Sequence, residues 1–155
     1  MMPHGRSRFI PAWVVDIHAQ RAHMRLRWPE FRSEVCGGVL RCWGMVRPTP
    51  LSARYDALIE MHNGAFPNVF IQAPELLPLV EGGSVPHTYA PNHLCMYHPT
   101  EWAPHRLIAI TIVPWTYRWL FVYENWRVTG AWDAYGVHPT STHRPSGASV
   151  LLAAA

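Results

Sequence analysis

Residues 85–105, VPHTYAPNHLCMYHPTEWAPH, lie between two segments of very different periodicity. In the segment before them, Arg54–Met61, apolar residues alternate along the chain, which is typical of a β-strand. After them, apolar residues recur at helical spacing. The stretch itself shows little periodicity, and loops of this length are usually functional or disordered. Because it also contains Tyr89, Tyr97 and Trp102, we expect it to be ordered.

The segment after this stretch predicts one long helix. Its apolar residues follow each other at spacings of 4, 3, 4, 3 and 4 positions: Ile108, Ile112, Trp115, Trp119, Val122 and Trp126. A seam of this kind predicts a helix that packs on a sheet. Because proline fits best in the first turn of a helix, Pro114 predicts that the regular helix begins near Val113. Thr129 and Gly130 are expected to end it.

The N-terminal half predicts a helix followed by three strands. Residues 12–31 carry one apolar stripe at helical spacing: Val14, Ile17, Met24, Trp28 and Phe31. The predicted strands are Glu34–Val46, Arg54–Met61 and Asn68–Gln72. The fold class that we predict is α+β, in which an N-terminal helix and a central helix pack on an antiparallel meander of about four strands.

The composition is that of one folded domain. The chain has 155 residues, of which 49% are hydrophobic and 15% are charged. These values argue against a disordered chain, which would be richer in charge and poorer in aromatic residues. We expect the domain to occupy residues 12–138, between a flexible arm at 1–11 and a frayed tail at 139–155.

Charge and hydropathy limit the kinds of partner. The net charge of +3 is small, and we expect no nucleic-acid partner. The most apolar stretch, Leu107–Tyr123, contains Pro114 and Arg118 and is shorter than the roughly 20 residues of a membrane span, so we expect no membrane partner.

The start of the chain makes a poor signal peptide. Three cysteines without framework spacing fit a reducing cytoplasm, where we expect the protein to act.

The predicted first helix carries a group of arginines outside its apolar stripe. Arg21, Arg25 and Arg27 are expected to be exposed. They form either a merely solvated basic face or a docking surface for an acidic partner.

Cys95 stands among the histidines of the irregular stretch, which are His87, His93, His98 and His105. One interpretation is a nucleophilic cysteine, whose thiolate, or the oxyanion that it forms on a carbonyl, is stabilised by imidazole or backbone N–H groups. A second interpretation is a zinc site formed by His87, His93, Cys95 and His98. A third is a loop with a buried cysteine and surface histidines. Cys36 and Cys42 lie in a predicted strand and are expected to be small core residues.

The same stretch resembles the ubiquitin-conjugating enzymes. That family carries His-Pro-Asn ten to eight residues before its active-site Cys, and Val85-Pro86-His87 lies at that distance from Cys95. Further matches are Tyr89, Leu94-Cys95-Met96, Trp102-Ala103-Pro104 and, on the predicted third strand, Phe66-Pro67-Asn68-Val69-Phe70. The resemblance covers roughly residues 12–130. Val85 and His87 depart from the family's His and Asn, and these departures look like those of divergent bacterial members. The sequence is particularly similar to the stand-alone conjugating-enzyme-like proteins of bacterial anti-phage operons built around a cyclic-oligonucleotide synthase.

This resemblance implies acyl transfer through a thioester, without a cofactor. Cys95 would be the nucleophile, and His87 would stabilise the oxyanion or assist proton transfer. Tyr89, Trp102 and Pro104 would shape the loop, with Trp102 in a structural role. The resemblance also implies a protein partner, with the C-terminus of a cyclic-oligonucleotide synthase as the candidate. The zinc site and a catalytically idle binding scaffold of the same fold remain as alternatives.

Overall fold

The computed structural model describes residues 14–133 and confirms the α+β fold. The elements in chain order are helix α1 (Ile17–Arg27), strands β1 (Arg32–Cys36), β2 (Val39–Val46), β3 (Tyr55–His62), β4 (Asn68–Ala73), β5 (Thr88–Ala90) and β6 (His93–Leu94), a 3-10 helix (Ile108–Ile110) and helix α2 (Ile112–Thr129). The expected arm at 1–11 and tail at 139–155 lie outside the described residues.

The six strands form one antiparallel sheet in the order β1-β2-β3-β4-β6-β5. The first four strands are the predicted meander. The last two come from the irregular stretch, where the sequence predicted no strand. Its residue His93 pairs with Phe70 of β4, so the short pair β5 and β6 extends the sheet edge and places the following residues, Cys95 among them, beside the sheet.

The strand predicted at Glu34–Val46 is in fact two strands. The chain turns at Gly37 and Gly38, where both φ angles are positive, at 59° and 76°. Two adjacent positive φ angles are the requirement of a tight hairpin turn, and glycine meets it without steric cost. The turn leaves Cys36 exposed at the end of β1, which contradicts its predicted place in the core, whereas Cys42 of β2 is buried as predicted.

Helix α1 is shorter than the predicted 12–31. The Asp16 carboxylate accepts hydrogen bonds from the backbone N–H groups of His18 at 2.8 Å and Ala19 at 2.9 Å, so it caps the first turn. Pro29 lies just beyond the last turn and cannot continue the helix. The predicted stripe nevertheless faces the core, since Ile17 and Met24 are buried.

A buried glutamine fixes α1 to the segment that precedes α2. The Gln20 side chain is fully buried. Its Nε2 donates to the carbonyl of Arg106 at 2.7 Å, and its Oε1 accepts from the N–H of Ile108 at 2.9 Å. Because both ends of the amide are satisfied, Gln20 joins two elements far apart in sequence without leaving an unpaired polar group.

Helix α2 packs on the meander as its seam predicts. It runs from Ile112 to Thr129 and is capped by Gly130, whose φ of 77° is the left-handed conformation typical of a helix C-terminus. Pro114 occupies its first turn, where backbone N–H groups have no acceptor within the helix. The Tyr123 ring of α2 meets Tyr55 of β3 edge to face at 6.5 Å. Among residues 14–133, no helix has the length and apolar character that crossing a membrane requires.

Candidate active site

Cys95 directly follows β6 and is half-buried. Its backbone N–H donates to the carbonyl of His87 at 2.8 Å. This hydrogen bond continues the pairing of β5 with β6, in which Thr88 lies opposite Leu94. The backbone of Cys95 is therefore fixed by the sheet, while its side chain is left at the surface of the protein.

His87 is held beside Cys95 by its backbone conformation. Its φ of 53° is in the left-handed region, which is uncommon for a residue other than glycine. The turn that this conformation forms brings the His87 carbonyl to the Cys95 N–H. Cys95 and His87, the two predicted catalytic residues, also line the same pocket, so the structure brings them together.

The pocket next to Cys95 has a volume of about 130 Å³. Its wall consists largely of aromatic and apolar side chains from α2 and from the residues on either side of it. The lining residues are His87, Cys95, Met96, Tyr97, Glu101, Trp115, Arg118, Trp119, Val122 and Trp132. We call this the aromatic pocket. Cys95 thus faces a concave surface on its α2 side in which aromatic rings lie next to Glu101 and Arg118.

Trp132 is a site residue that the sequence analysis missed. Its ring stacks on the His87 imidazole, with centroids 5.1 Å apart and planes inclined by 28°. It also meets Trp119 edge to face at 5.2 Å. Trp132 lies after the end of α2, where the helical seam has stopped. No spacing rule could have connected it to His87, which is 45 positions earlier in the chain.

Tyr89 contacts Cys95 from another side. Its side-chain interaction with Cys95, together with burial and the nearby Cys95 charge, raises the pKa of Tyr89 to about 12. Most of the Tyr89 side chain is nevertheless exposed. The hydroxyl therefore stays protonated at neutral pH and can donate a hydrogen bond to the sulfur.

The geometry contradicts the zinc interpretation. His93 stacks on Phe70 at 4.4 Å, and its Nε2 lies 3.1 Å from Oδ1 of Asn68. Burial lowers the pKa of His93. His98 hydrogen-bonds through Nδ1 to the Thr100 hydroxyl at 2.8 Å. Within residues 14–133, no group of three or more His, Cys, Asp or Glu side chains could hold a metal ion.

Trp102 and Pro104 fix the chain after Cys95. Trp102 is 2% exposed and lies against Phe66 at 5.6 Å. The carbonyl of Pro104 accepts a hydrogen bond from the N–H of Val15 at 2.9 Å. Both residues therefore hold the stretch to the rest of the domain and do not line the aromatic pocket.

The order of the elements and the position of Cys95 define the class. A helix, an antiparallel meander, an extended stretch with a half-buried cysteine and a long helix behind it form a ubiquitin-conjugating-enzyme-like domain. Residues 20–139 match the family described as Type II CBASS E2 proteins. The chain belongs to this family, which gives it a role in bacterial anti-phage defence. Among curated proteins, none matches the chain.

Proposed function

We propose that the protein catalyses cysteine-dependent acyl transfer and that Cys95 is its nucleophile. The observation that supports this most directly is the position of Cys95. It is half-buried, lines the aromatic pocket together with His87, and lies close enough to Tyr89 to raise the pKa of that phenol. A nucleophilic cysteine has to be partly accessible and surrounded by groups that can stabilise charge.

The proposed reaction has two steps. In the first, the Cys95 thiolate attacks the carbonyl carbon of a C-terminal thioester, and the donor's thiol leaves as a new thioester forms on Cys95. In the second, an amine attacks this carbonyl, an amide forms, and Cys95 leaves as thiolate. The amine loses one proton on the way, and the released thiolate or a nearby base takes it up.

His87 is the candidate for stabilising the oxyanion of both tetrahedral intermediates. It lines the pocket that Cys95 faces, and Trp132 restricts its ring by stacking on it. A hydrogen-bond donor held in advance stabilises developing charge more than one that has to reorient during the reaction. A protonated or neutral imidazole can supply such a donor.

The candidate acyl donor is the C-terminus of a cyclic-oligonucleotide synthase. This part of the proposal rests on the family, whose Type II CBASS members act in anti-phage defence. The synthase would enter the first step as an activated acyl group and leave the second step joined to an amine of a second molecule.

The test is a loading assay with a synthetic peptide that carries the last residues of the synthase and ends in an alkyl thioester. We expect a protein–peptide adduct that thiol reductants remove. Cys95→Ala should form no such adduct, and Cys95→Ser should form at most an oxyester that reductants leave intact. Cys36→Ser is the matched control, because Cys36 is exposed but lies outside the aromatic pocket.

Two results would contradict the proposal. One is an adduct that survives Cys95→Ala but disappears in Cys36→Ser. The other is full protection against phage in cells whose only copy carries Cys95→Ala, which would favour the idle scaffold.

A further inference from the structure

We propose that the aromatic pocket binds an apolar side chain from the last residues of the acyl donor. This inference rests on the proposed function and adds to it a selectivity that neither the family nor the reaction requires. The acyl group would therefore be chosen by a side chain near its C-terminus as well as by its reactive carbonyl.

The pocket has the size of one side chain. Its volume is about 130 Å³, and an apolar protein cavity of about 150 Å³ is large enough to bind benzene. A leucine or methionine side chain of the donor is of comparable size.

The position of Cys95 in the pocket wall identifies the occupant. Any acyl group bonded to its sulfur begins at that wall. One residue of extended chain spans at most about 3.6 Å, so the donor's last two residues have to lie at or next to the pocket. Trp115 and Trp119, which line the same pocket as Cys95, belong to α2. The donor's side chain would lie between Cys95 and this helix.

The lining favours an apolar side chain over a charged one. Burying apolar area between aromatic rings is favourable. The two charged residues of the wall are Glu101 and Arg118. Because their charges are opposite, they favour neither sign of charge in a ligand. Burying the charge of a lysine or arginine next to the donor's C-terminus costs desolvation free energy that an apolar side chain does not incur.

The experiment compares donor peptides that end in the same glycine thioester and differ only in the residue before it. The constant glycine keeps the chemical reactivity equal. With leucine at the variable position we expect Cys95 to load about 10-fold faster than with glycine, at donor concentrations below saturation. Lysine at that position should give no gain over glycine.

Two variants test the pocket itself. Trp115→Ala enlarges it and should move the preference from leucine towards tryptophan, a gain that a merely damaged protein would not show. Trp43→Ala is the control, because Trp43 is also half-buried but lies on β2 against Arg32. It should keep the wild-type preference.

The remaining outcomes distinguish a failure of this inference from a failure of the proposed function. Equal loading of all donors by the wild-type protein would overturn the inference and leave the proposed function intact. Selectivity that appears only when the loaded protein is discharged onto different amines would also overturn it, because the pocket would then bind the acceptor. Failure to load any donor would remove the proposed function and this inference with it.

Discussion

The β1–β4 meander and the stretch 85–105 are held together in different ways. Strands β2 and β3 pair over eight consecutive positions, from Val39 opposite His62 to Val46 opposite Tyr55. In the stretch 85–105, the described ladder consists of one pair between β4 and β6 and two between β5 and β6. The meander is therefore stabilised by a repeated pattern, and the stretch by individual contacts.

The individual contacts of the stretch are hydrogen bonds and unusual backbone angles. Asn92, whose φ is 62°, accepts the N–H of Leu76 with its side chain at 2.8 Å. The Tyr97 hydroxyl donates to the carbonyl of Pro67 at 2.5 Å. Such contacts position one residue each. Substitutions in the meander should therefore lower stability and leave the transfer rate of the folded protein unchanged. Many substitutions around Cys95 should lower the transfer rate and leave stability nearly unchanged.

The largest effect is expected at Cys95. Cys95→Ala removes the nucleophile and should lower the rate of acyl transfer by at least about 10⁴-fold. The melting temperature should stay near that of the wild type, because the strand pairing next to Cys95 uses only its backbone. Transfer assays and thermal unfolding on the same sample measure both quantities. A variant that fails to fold would show that the Cys95 side chain is needed for stability, as the residues of the meander are.

The second effect concerns Cys42, the buried thiol of the meander. Burial raises the pKa of Cys42 to about 12 from 9.0, despite an opposing effect of Arg21. A difference of three pKa units lowers the thiolate fraction by about 10³-fold, so a slow alkylating reagent at pH 8 should label Cys42 at least that much more slowly in folded than in unfolded protein. Cys36 and Cys95 are accessible and should both react in the folded state, as peptide mass spectrometry can show.

The sign of this shift also fixes its pH dependence. Because the folded protein binds the Cys42 proton more tightly than the unfolded one, this contribution to stability is complete below about pH 9. It is lost as the pH rises towards the folded pKa of about 12. Denaturant unfolding at pH 8 and pH 10 should show a decline that is smaller in Cys42→Ala. An equal decline in both proteins would contradict the burial of this thiol.

The third effect is a loss of stability without a loss of rate. Met61 of β3 is fully buried, and Met61→Ala should destabilise the protein by about 2–5 kcal/mol. Urea unfolding measures this change. The transfer rate per folded molecule should hold, since Met61 does not line the aromatic pocket. A fall in that rate at full folding would show that the meander and the site are coupled.

The fourth effect is a loss of transfer rate without a loss of stability, the reverse of what is expected for Met61→Ala. His87→Ala should slow transfer by about 100-fold, the usual cost of losing one oxyanion donor, while the melting temperature barely moves. Trp132→Ala should slow transfer less, because it frees the His87 ring without removing it. In a double-mutant cycle, Trp132→Ala should add little to His87→Ala. Fully additive effects would mean that Trp132 does not act through His87.

The same contrast explains how much of the fold could be predicted from the sequence. Alternation in β3 and the helical seam of α2 are regular, so both elements were predicted within one or two residues. The hairpin at Gly37 and Gly38 was missed because Glu34–Val46 was predicted as one strand. The adjacency of the two glycines was the available signal, since two consecutive glycines are typical of tight hairpin turns.

The candidate site could be predicted only in part. The family resemblance pointed to Cys95 and His87, and the structure places them in one pocket. Trp115 and Trp119 were predicted as sheet-packing residues, but they also line the aromatic pocket. Helical spacing identifies the face of a helix that is covered and does not say whether sheet or pocket covers it. The Trp132 contact depends on how the chain returns after α2, which no local pattern encodes.

The smallest effect is expected on the exposed surface of α1, which belongs to neither region of the comparison. Arg25 and Arg27 are exposed, as predicted. Arg21 is not: it is half-buried, and its guanidinium donates to the carbonyl of Ser33 at 3.0 Å. Reversing Arg21 would therefore disturb the packing of α1 on β1, and a test of docking has to leave it unchanged.

We expect the double variant Arg25→Glu, Arg27→Glu to lower stability by no more than about 2 kcal/mol, mostly because both charges lie in the last turn of α1. If this face docks an acidic partner, binding to the synthase should weaken several-fold at low salt and by less at high salt. Arg54→Glu, at another exposed arginine, is the control and should leave binding unchanged. If the double variant binds as tightly as the wild type, the arginines of α1 are only solvated. The functional surface would then be confined to the stretch around Cys95 and the helix behind it.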